Sequence, residues 1–596
     1  TIRYLIYLGL GIGAALLTLL VPMSQWLRLG PYLLLLSFVL LILVLIPGVG
    51  REVNGAKRWI SLGLFNAQPS ESAKLIAVLF IAGYLVRRQE EVREKLFEIV
   101  SQLNTGVELI SGHEERHRLA RLNAEAGWKA QASSAHDSAA AYLSMAFGLI
   151  PGDPWETDPA LAFKVQLDQA GSELVSGNFA QTRRLLEGLR SRARRRADIA
   201  AVYGLRHEVH LISGEIQASV TCLLECLALL GMPMDPHPSW EEAMAAREEV
   251  QALLGARPIE SLAELPLMTD ADMKPVMNVL ARLFPSAYLT DNNLLVLHVC
   301  RMVSLSLRYG NTNESVIAYS SLGVLLGQFF KSYQEGYAYG MLACALIDRY
   351  HLTHERVRAL FNLEMISYWC RPLAVAHEHA LSAFQHALQT NNYLYACYIV
   401  GHVVWNRQAM GHPLDDVYQD ALVRMDFMRK TGFVGVVDTT LIVLRYMQTL
   451  RGHSPTFGTL DGEGFDEKAL EAALSPAHMS AMVCQYWLSK MQARFMCGSY
   501  AEAREAGDKA AAFIWSFIGI IPRLDFYLFR ALTLAACCEG AEEEERQRYL
   551  EAAEVHWQQL EVWAVNCPET FRALERLVFA ELARIRGRLD EALPAY

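Results

Sequence analysis

The stretch "GSYAEAREAGDKA", residues 498–510, decides the fold of most of this 596-residue chain. Gly498 marks a turn, Tyr500 follows it, and Ala503 and Ala510 fall on one face of the helix that comes next. Small side chains at such positions let two antiparallel helices approach closely. The stretch therefore predicts a pair of packed helices.

The same pattern of small and turn-forming residues recurs upstream of this stretch. From residue 96 onward the apolar residues follow helical periodicity without strand alternation. The spacing is similar to that of the tetratricopeptide repeat (TPR), whose units bury their apolar faces only by stacking. We expect a TPR-like α-solenoid over residues 96–596, with a concave groove that binds a protein partner. The small or turn-forming residues that carry this expectation are Gly127, Ala139, Ala146, Pro151, Gly177 and Gly214.

Composition excludes several classes of protein. The net charge of -10 argues against a nucleic-acid-coating protein, which would present a basic face. The eleven cysteines are odd in number and show no CxxC spacing, so neither a disulfide framework nor a zinc ribbon is expected. We therefore predict a reducing compartment, no cofactor, no bound metal and no nucleic-acid partner.

Three apolar runs near the N-terminus predict transmembrane helices, over residues 4–23, 32–47 and 69–86. A signal peptide is the alternative for the first run, but no cleavage site follows it. Arg87 and Arg88, after the third run, favour a cytoplasmic location for the residues beyond them. The predicted fold class is all-α, with a transmembrane segment at 1–95 and a cytoplasmic helical domain at 96–596.

Between the second and third runs lies an unusually polar stretch, "GREVNGAKRWISLGLFNAQPSESAKL", residues 50–75. Ionisable groups near membrane depth usually face a cavity or a charged partner. Glu71 and Lys74 share one helix face and can pair. A structural interpretation stays open, in which the cations contact lipid phosphates and Glu71 pairs with Lys74.

This stretch, followed by "AGYLVRRQEE", closely resembles the SEDS family of cell-wall polymerases, and its FtsW division branch more than its RodA branch. The resemblance covers nearly all of residues 1–94 and implies a membrane glycosyltransferase that polymerises lipid II in the bacterial inner membrane, beside division proteins and membrane lipids. A cationic loop suits the pyrophosphate of such a substrate. By resemblance, the residues at the lipid II cavity are Arg51, Asn54, Lys57, Arg58, Trp59, Gln68, Glu71 and Lys74.

The resemblance covers only part of that family. SEDS proteins have about ten spans, of which this segment resembles the second to the fourth, and the family's catalytic Asp belongs to a later loop. The first Asp of this chain is Asp137. We therefore assign no catalytic residue, and enzymatic activity is left open. We expect both ends to be truncated, and the alternative origins of the join near residue 95 are a natural fusion, a gene-model error and an assembly artefact.

The remainder, including "LRYGNTNESVIAYSSLGVLLG", residues 307–327, resembles the helical region of large bacterial signalling proteins with kinase, AAA-type ATPase and histidine-kinase modules. The chain shows no GxxxxGK[ST] loop and no HRD or DFG motif. Three hypotheses are consistent with these resemblances. The first is an anchored, non-catalytic SEDS fragment joined to an interaction scaffold. The second is a fragment of a division glycosyltransferase whose missing spans come from elsewhere, and the third is the sensor or scaffold part of a signalling kinase.

Three further motifs have ordinary structural interpretations. "HEERH", residues 113–117, matches the zinc pattern HExxH, but no third ligand is apparent, so a polar helix is expected. "HEH", residues 377–379, is interpreted as a solvated helix surface. "RSRARRR", residues 190–196, is interpreted as a solvated helix end, with nucleic acid or anionic lipid as the less favoured alternative.

Overall fold

The structure is a computed structural model that describes residues 23–46, 50–53, 56–61, 66–67, 69–70, 73–74, 76, 95–431, 434–475 and 478–596. The chain packs as two compact units, Thr1–Leu189 and Arg190–Tyr596. The predicted domain boundary at residue 95 stays a prediction, because the division into compact units does not test it.

The described part of the first unit contains the helix α1 (Met23–Leu45), followed by the strands β1 (Gly50–Val53), β2 (Ala56–Ser61) and β3 (Asn66–Ala67). The strands form a small antiparallel sheet of order β1-β2-β3, in which Arg51 lies opposite Trp59. The Asn54-Gly55 pair that separates β1 from β2 in the sequence is the residue pair most typical of two-residue hairpin turns. The all-α prediction holds for most of the described residues but overlooked this signal.

Within the described residues, no helix combines the length and the apolar character needed to cross a membrane. The second predicted span, residues 32–47, overlaps α1. Residues 4–22 and 77–86, from the other two predicted spans, lie outside the described residues. The prediction of three transmembrane helices is therefore not confirmed.

The rest of the first unit is helical, and residues 95–105 form its first described helix. The helix His136–Leu149 packs on both the helix His113–Ala132 and the helix Pro159–Val175. A methyl group added to Gly127 would lie 2.6 Å from a side-chain carbon of Leu143, so the predicted small residue does mark a close helix contact. The elements are the 3₁₀ turn Val107–Leu109, α2 (His113–Ala132), α3 (His136–Leu149), α4 (Pro154–Thr157), α5 (Pro159–Val175) and α6 (Phe179–Arg190).

The second unit consists of helices that pack on their immediate neighbours and, in several cases, on the helix after next. Three short 3₁₀ turns, Ile259–Glu264, Thr353–Glu355 and Ile514–Ser516, interrupt the series. The helices are α7 (Arg196–Ile212), α8 (Ile216–Leu229), α9 (Trp240–Leu254), α10 (Met273–Thr290), α11 (Asn292–Tyr309), α12 (Asn313–Phe330), α13 (Tyr333–Tyr350), α14 (Arg356–Ser367), α15 (Leu373–Gln389), α16 (Tyr393–Ala409), α17 (Leu414–Thr431), α18 (Val434–Leu450), α19 (Glu467–Ala473), α20 (Ser480–Met496), α21 (Tyr500–Ala511), α22 (Pro522–Cys537), α23 (Glu543–Asn566), α24 (Pro568–Ile585) and α25 (Leu589–Ala595).

Glycines in the left-handed region separate several helix pairs. Gly177, Gly214 and Gly498 have φ values of +81°, +73° and +81°, and each lies between two consecutive helices. Glycine adopts this conformation without steric cost. The predicted turns at these three positions are confirmed.

Residues 514–521, "IWSFIGII", form a crossing segment that joins sequence-distant parts of the second unit. Phe517 and Ile518 are buried. The Tyr288 hydroxyl donates to the Ser516 carbonyl at 3.4 Å, and the Gly519 amide donates to Gln328 Oε1 at 3.3 Å. The crossing segment also contributes Trp515, Ser516, Ile518 and Ile520 to the lining of a cavity.

The backbones of α12 and α13 make their closest approach at two glycines. A methyl group added to Gly323 would lie 2.5 Å from the carbonyl oxygen of Gly336, and one added to Gly336 would collide with the carbonyl of Gly323. Backbone atoms cannot move aside as a flexible side chain does. The pair therefore requires glycine at both positions.

Replacing Gly323 with alanine is expected to lower the free energy of unfolding by about 1–3 kcal/mol, because the helices must separate. Gly401→Ala is the matched control, since a methyl group there meets nothing within 4 Å. The control substitution is expected to raise the free energy of unfolding by about 0.5–1 kcal/mol, because glycine is a poor helix former. Urea unfolding followed by circular dichroism measures both, and equal effects would contradict the close-approach account.

Candidate functional site

The residues predicted from the N-terminal stretch lie partly within the described structure. Arg51 is in β1, and Lys57, Arg58 and Trp59 are consecutive in β2, so the hairpin brings two short cationic segments side by side. Lys74 is exposed in a helical stretch. Three of the predicted residues lie outside the described residues, namely Asn54, Gln68 and Glu71. Their role at a lipid II cavity stays a prediction.

The "HEERH" and arginine-rich motifs lie in structural contacts. His117 Nε2 is 3.1 Å from the Asp158 carboxylate, and Arg195 pairs with Asp198 at 2.8 Å. In the described part of the chain, no three His, Cys, Asp or Glu side chains are grouped so as to hold a metal ion. Both motifs therefore have structural partners within their own units.

The "HEH" motif on α15 departs from the expectation of a solvated surface. Glu378 is exposed, but His377 and His379 are half-buried. Burial lowers the pKa of both histidines. The solvated interpretation was wrong for the two imidazoles, because neighbouring parts of the structure cover each of them in part.

The second unit contains a partly open cavity of about 710 Å³. Most of its wall is formed by α10, α12, α14, α16 and α18, which are alternate helices in chain order, together with the crossing segment. Residues of α8, α11 and α20, among them Leu295, complete the wall. The large aromatic residues of the wall are Phe284, Tyr288, Phe361, Tyr395, Tyr398, Trp405 and Trp515.

Helical spacing explains which side chains reach the cavity. On α16, Tyr395, Tyr398, His402 and Trp405 recur every three or four residues and so share one face. On α14 the same spacing brings Arg358, Phe361, Asn362 and Met365 to the wall. The two helices supply Arg358, the cation of the lining, and His402, one of its two histidines.

A fully buried carboxylate, Glu364, lies behind this wall. It accepts hydrogen bonds from the Tyr368 hydroxyl, from Asn406 Nδ2 at 2.8 Å and from His402 Nδ1 at 3.1 Å. Burial, reinforced by the Glu364 charge, holds the pKa of Tyr368 well above its usual range. Three hydrogen-bond donors thus offset the free-energy cost of burying the Glu364 carboxylate.

This arrangement orients the imidazole of His402. Because Nδ1 donates to Glu364, the ring presents Nε2 on its other side, and His402 lines the cavity. The ring lies 4.7 Å from that of Phe361 and 5.2 Å from that of Trp405, measured between centroids. His402 therefore offers one polar atom in a largely aromatic surrounding.

Arg358 supplies the permanent positive charge of the cavity wall. Its Nε donates to the Tyr395 hydroxyl at 2.9 Å, and its guanidinium lies 5.6 Å from the centre of that ring. Within the described residues, no carboxylate forms a salt bridge with Arg358. The pKa of nearby Glu355 is raised by burial despite the opposing charge of Arg358.

The sequence analysis did not single out Glu364, His402 or Arg358. A carboxylate at a core position of the apolar run "LFNLEMISYW", residues 360–369, was an available signal for a buried polar network. Its partners could not be identified in this way, because His402 lies 38 residues further along the chain.

The described part of the second unit is thus an array of packed helices with a partly open pocket. Comparison with known proteins adds two resemblances. Residues 1–111 match the family model of the FtsW/RodA/SpoVE type, described as a cell cycle protein. The resemblance of the N-terminal segment to this family is confirmed.

Individual relatives cover different parts of the chain. A probable peptidoglycan glycosyltransferase FtsW of Pseudomonas fluorescens (strain SBW25) is 57% identical over 93 residues, covering 16% of this chain and 23% of that protein. The FtsW of Halorhodospira halophila is 53% identical over 94 residues, 16% of this chain and 24% of that protein. The chain thus spans less than a quarter of these relatives.

A hybrid signal transduction histidine kinase G of Dictyostelium discoideum is 25% identical over 387 residues, which is 60% of this chain and 11% of that protein. The resemblance of the helical region to large signalling proteins is confirmed by this match. The identity is low and the covered share of the kinase is small, so its activity does not transfer with the resemblance.

Glu364→Gln is expected to lower the free energy of unfolding by about 1–3 kcal/mol, because the new amide directs a donor at groups that already donate. Glu378→Gln, an exposed carboxylate on the next helix, is the matched control and should change stability little. Chemical denaturation at pH 7 compares the two. A Glu364 variant as stable as the control would show that the buried charge is not needed.

Proposed function

We propose that the chain is a membrane-anchored, non-catalytic binding scaffold. Residues 1–95 anchor it in the bacterial inner membrane as an FtsW-like segment, and residues 96–596 form a cytoplasmic TPR-like array that binds a partner. The observation that supports binding most directly is the cavity of about 710 Å³ between alternate helices of the array. Division proteins are the partners that the FtsW resemblance suggests.

The surface of α1 supports membrane anchoring. Leu35, Phe38 and Ile42, spaced along one face of the helix, are 66%, 56% and 60% exposed. A contiguous apolar face of this kind marks a surface that a partner or a lipid layer covers. Together with the FtsW resemblance, it favours lipid as the covering phase.

The cationic hairpin supports contact with a phosphate-bearing lipid. Arg51 in β1 and Lys57 and Arg58 in β2 belong to the segment that matches FtsW. Arginine and lysine pair readily with phosphate oxygens. We propose lipid II as the ligand of this hairpin, without polymerisation, because the chain spans 23% of its FtsW relative and the family's catalytic Asp has no counterpart in the matched segment.

The anchoring proposal is tested by flotation of the purified full chain with phosphatidylcholine vesicles after a carbonate wash. Exchanging Leu35, Phe38 and Ile42 for aspartate is expected to lower the floated fraction at least about twofold, because each buried carboxylate costs about 3 kcal/mol at the centre of a membrane helix. The matched control exchanges three exposed valines of the array for aspartate and should float like the wild type. The control positions are Val423, Val555 and Val565.

A wild-type chain that fails to float would contradict anchoring, and unchanged flotation of the α1 variant would contradict the role of this helix. The same preparation is expected to yield no glycan from lipid II, with an intact SEDS polymerase as the positive control. Glycan product would contradict the non-catalytic part of the proposal.

A second candidate function is favoured by the similarity of 60% of the chain to a histidine kinase. In this alternative, the array is the sensor or scaffold part of a signal-transduction kinase with AAA-type ATPase relatives. Equilibrium dialysis of the purified chain with ATP tests it. Saturable binding would favour the signalling role, and absence of binding would leave the scaffold role alone.

A further inference from the structure

The cavity of the second unit has the size and lining of a small-molecule site. Pockets for drug-sized ligands enclose roughly 300–1,000 Å³ and combine apolar walls with a few polar groups. At about 710 Å³, with seven large aromatic side chains in its wall, this cavity falls within that range. Leu289, Tyr398 and Trp515 of the wall remain 50%, 37% and 40% exposed, so the protein's own side chains leave apolar surface uncovered.

The charges of the wall favour an anion. Among the described residues that line the cavity, Arg358 is the cation, His402 and His478 are the titratable bases, and none is Asp or Glu. The Glu364 carboxylate behind the wall is already bound by three donors and is fully buried. A carboxylate or sulfonate entering the cavity therefore meets a cation without meeting a wall carboxylate.

Arg358 retains donors for such a ligand. A guanidinium carries five N–H groups in a planar fork, and Arg358 uses its Nε group on the Tyr395 hydroxyl. Arg358 and Tyr395 both lie in the first turn of their helices, α14 and α16, where the helix dipole also favours negative charge. The polar end of the cavity is thus preorganised.

The second polar position is His402. It lies seven residues after Tyr395 on the same face of α16, which corresponds to about 10 Å along the helix. The wall between these positions is formed by Phe361 and Tyr398, and Trp405 continues the same face. This distance matches an extended apolar body with one charged end.

The geometry points to a small-molecule site for an apolar anion, an aromatic or long-chain carboxylate or sulfonate, bound with its charged group on Arg358 and its body along Phe361, Tyr398 and Trp405. This inference concerns the array alone. It does not depend on membrane anchoring or on a protein partner.

Two fluorescent probes of similar shape separate the charge from the apolar body. 1-Anilinonaphthalene-8-sulfonate is anionic, and N-phenyl-1-naphthylamine is the same aromatic frame without the sulfonate. Titrated into the full chain under one detergent condition, both are expected to bind at one saturable site. Arg358→Met should lower the affinity for the sulfonate probe roughly 10- to 100-fold, as expected for loss of a charge-assisted hydrogen bond. It should lower the affinity for the neutral probe less than about twofold.

Arg356→Met is the matched control. Arg356 lies on the same helix, pairs with Asp348 and does not line the cavity. Its loss should leave the affinity of both probes unchanged. Equal weakening of both probes by Arg358→Met, or none of either, would overturn the assignment of an anion to Arg358.

A cavity-filling variant locates the site. A Cβ added to Gly401, which lines the cavity, meets nothing within 4 Å, so the side chain of Gly401→Phe starts in open space at the cavity wall and is expected to occupy ligand space. It should abolish binding of both probes while urea unfolding stays cooperative. Gly171→Phe, at an equally open helical glycine in the first unit, should bind both probes normally. Probe binding that survives in Gly401→Phe would place the site elsewhere and contradict the inference.

Discussion

The array depends on how closely its paired helices approach one another. At Gly323 and Gly336 the approach is set by backbone against backbone, and at Gly127 by backbone against Leu143. Dispersion contacts fall off steeply with separation, so even a methyl group in such a contact separates the two apolar faces.

This constraint has a consequence for the interior. Helices held in register by close contacts bring Glu364, His402 and Asn406 within hydrogen-bond distance across α14 and α16. A buried charge is tolerated only where all its donors are fixed, so the polar network and the close packing depend on each other. The cavity lies on the far side of this network, where alternate helices face inward.

The features that the sequence predicted correctly are the local ones. Helical periodicity and the turns at Gly177, Gly214 and Gly498 depend on neighbouring residues, and the structure has them where they were expected. The β1–β2 hairpin was equally local but was missed, because the Asn54-Gly55 signal lay in a segment interpreted only for its charge. The His402–Glu364 pairing could not be predicted, since it depends on the register between helices rather than on spacing within one. The N-terminal site residues were found by resemblance, and their chemistry stays a prediction.

The crossing segment makes the second unit less modular than a simple stack. Its Ser516 carbonyl meets Tyr288, 228 residues earlier, and Trp563 Nε1 donates to the Tyr333 hydroxyl across 230 residues. Contacts of such large sequence separation form slowly, because the long intervening loop must close first. During synthesis, the surfaces around Tyr288 and Gln328 that pack on the crossing segment therefore stay uncovered until residues 514–521 have left the ribosome. This is the interval in which the nascent chain most needs a chaperone.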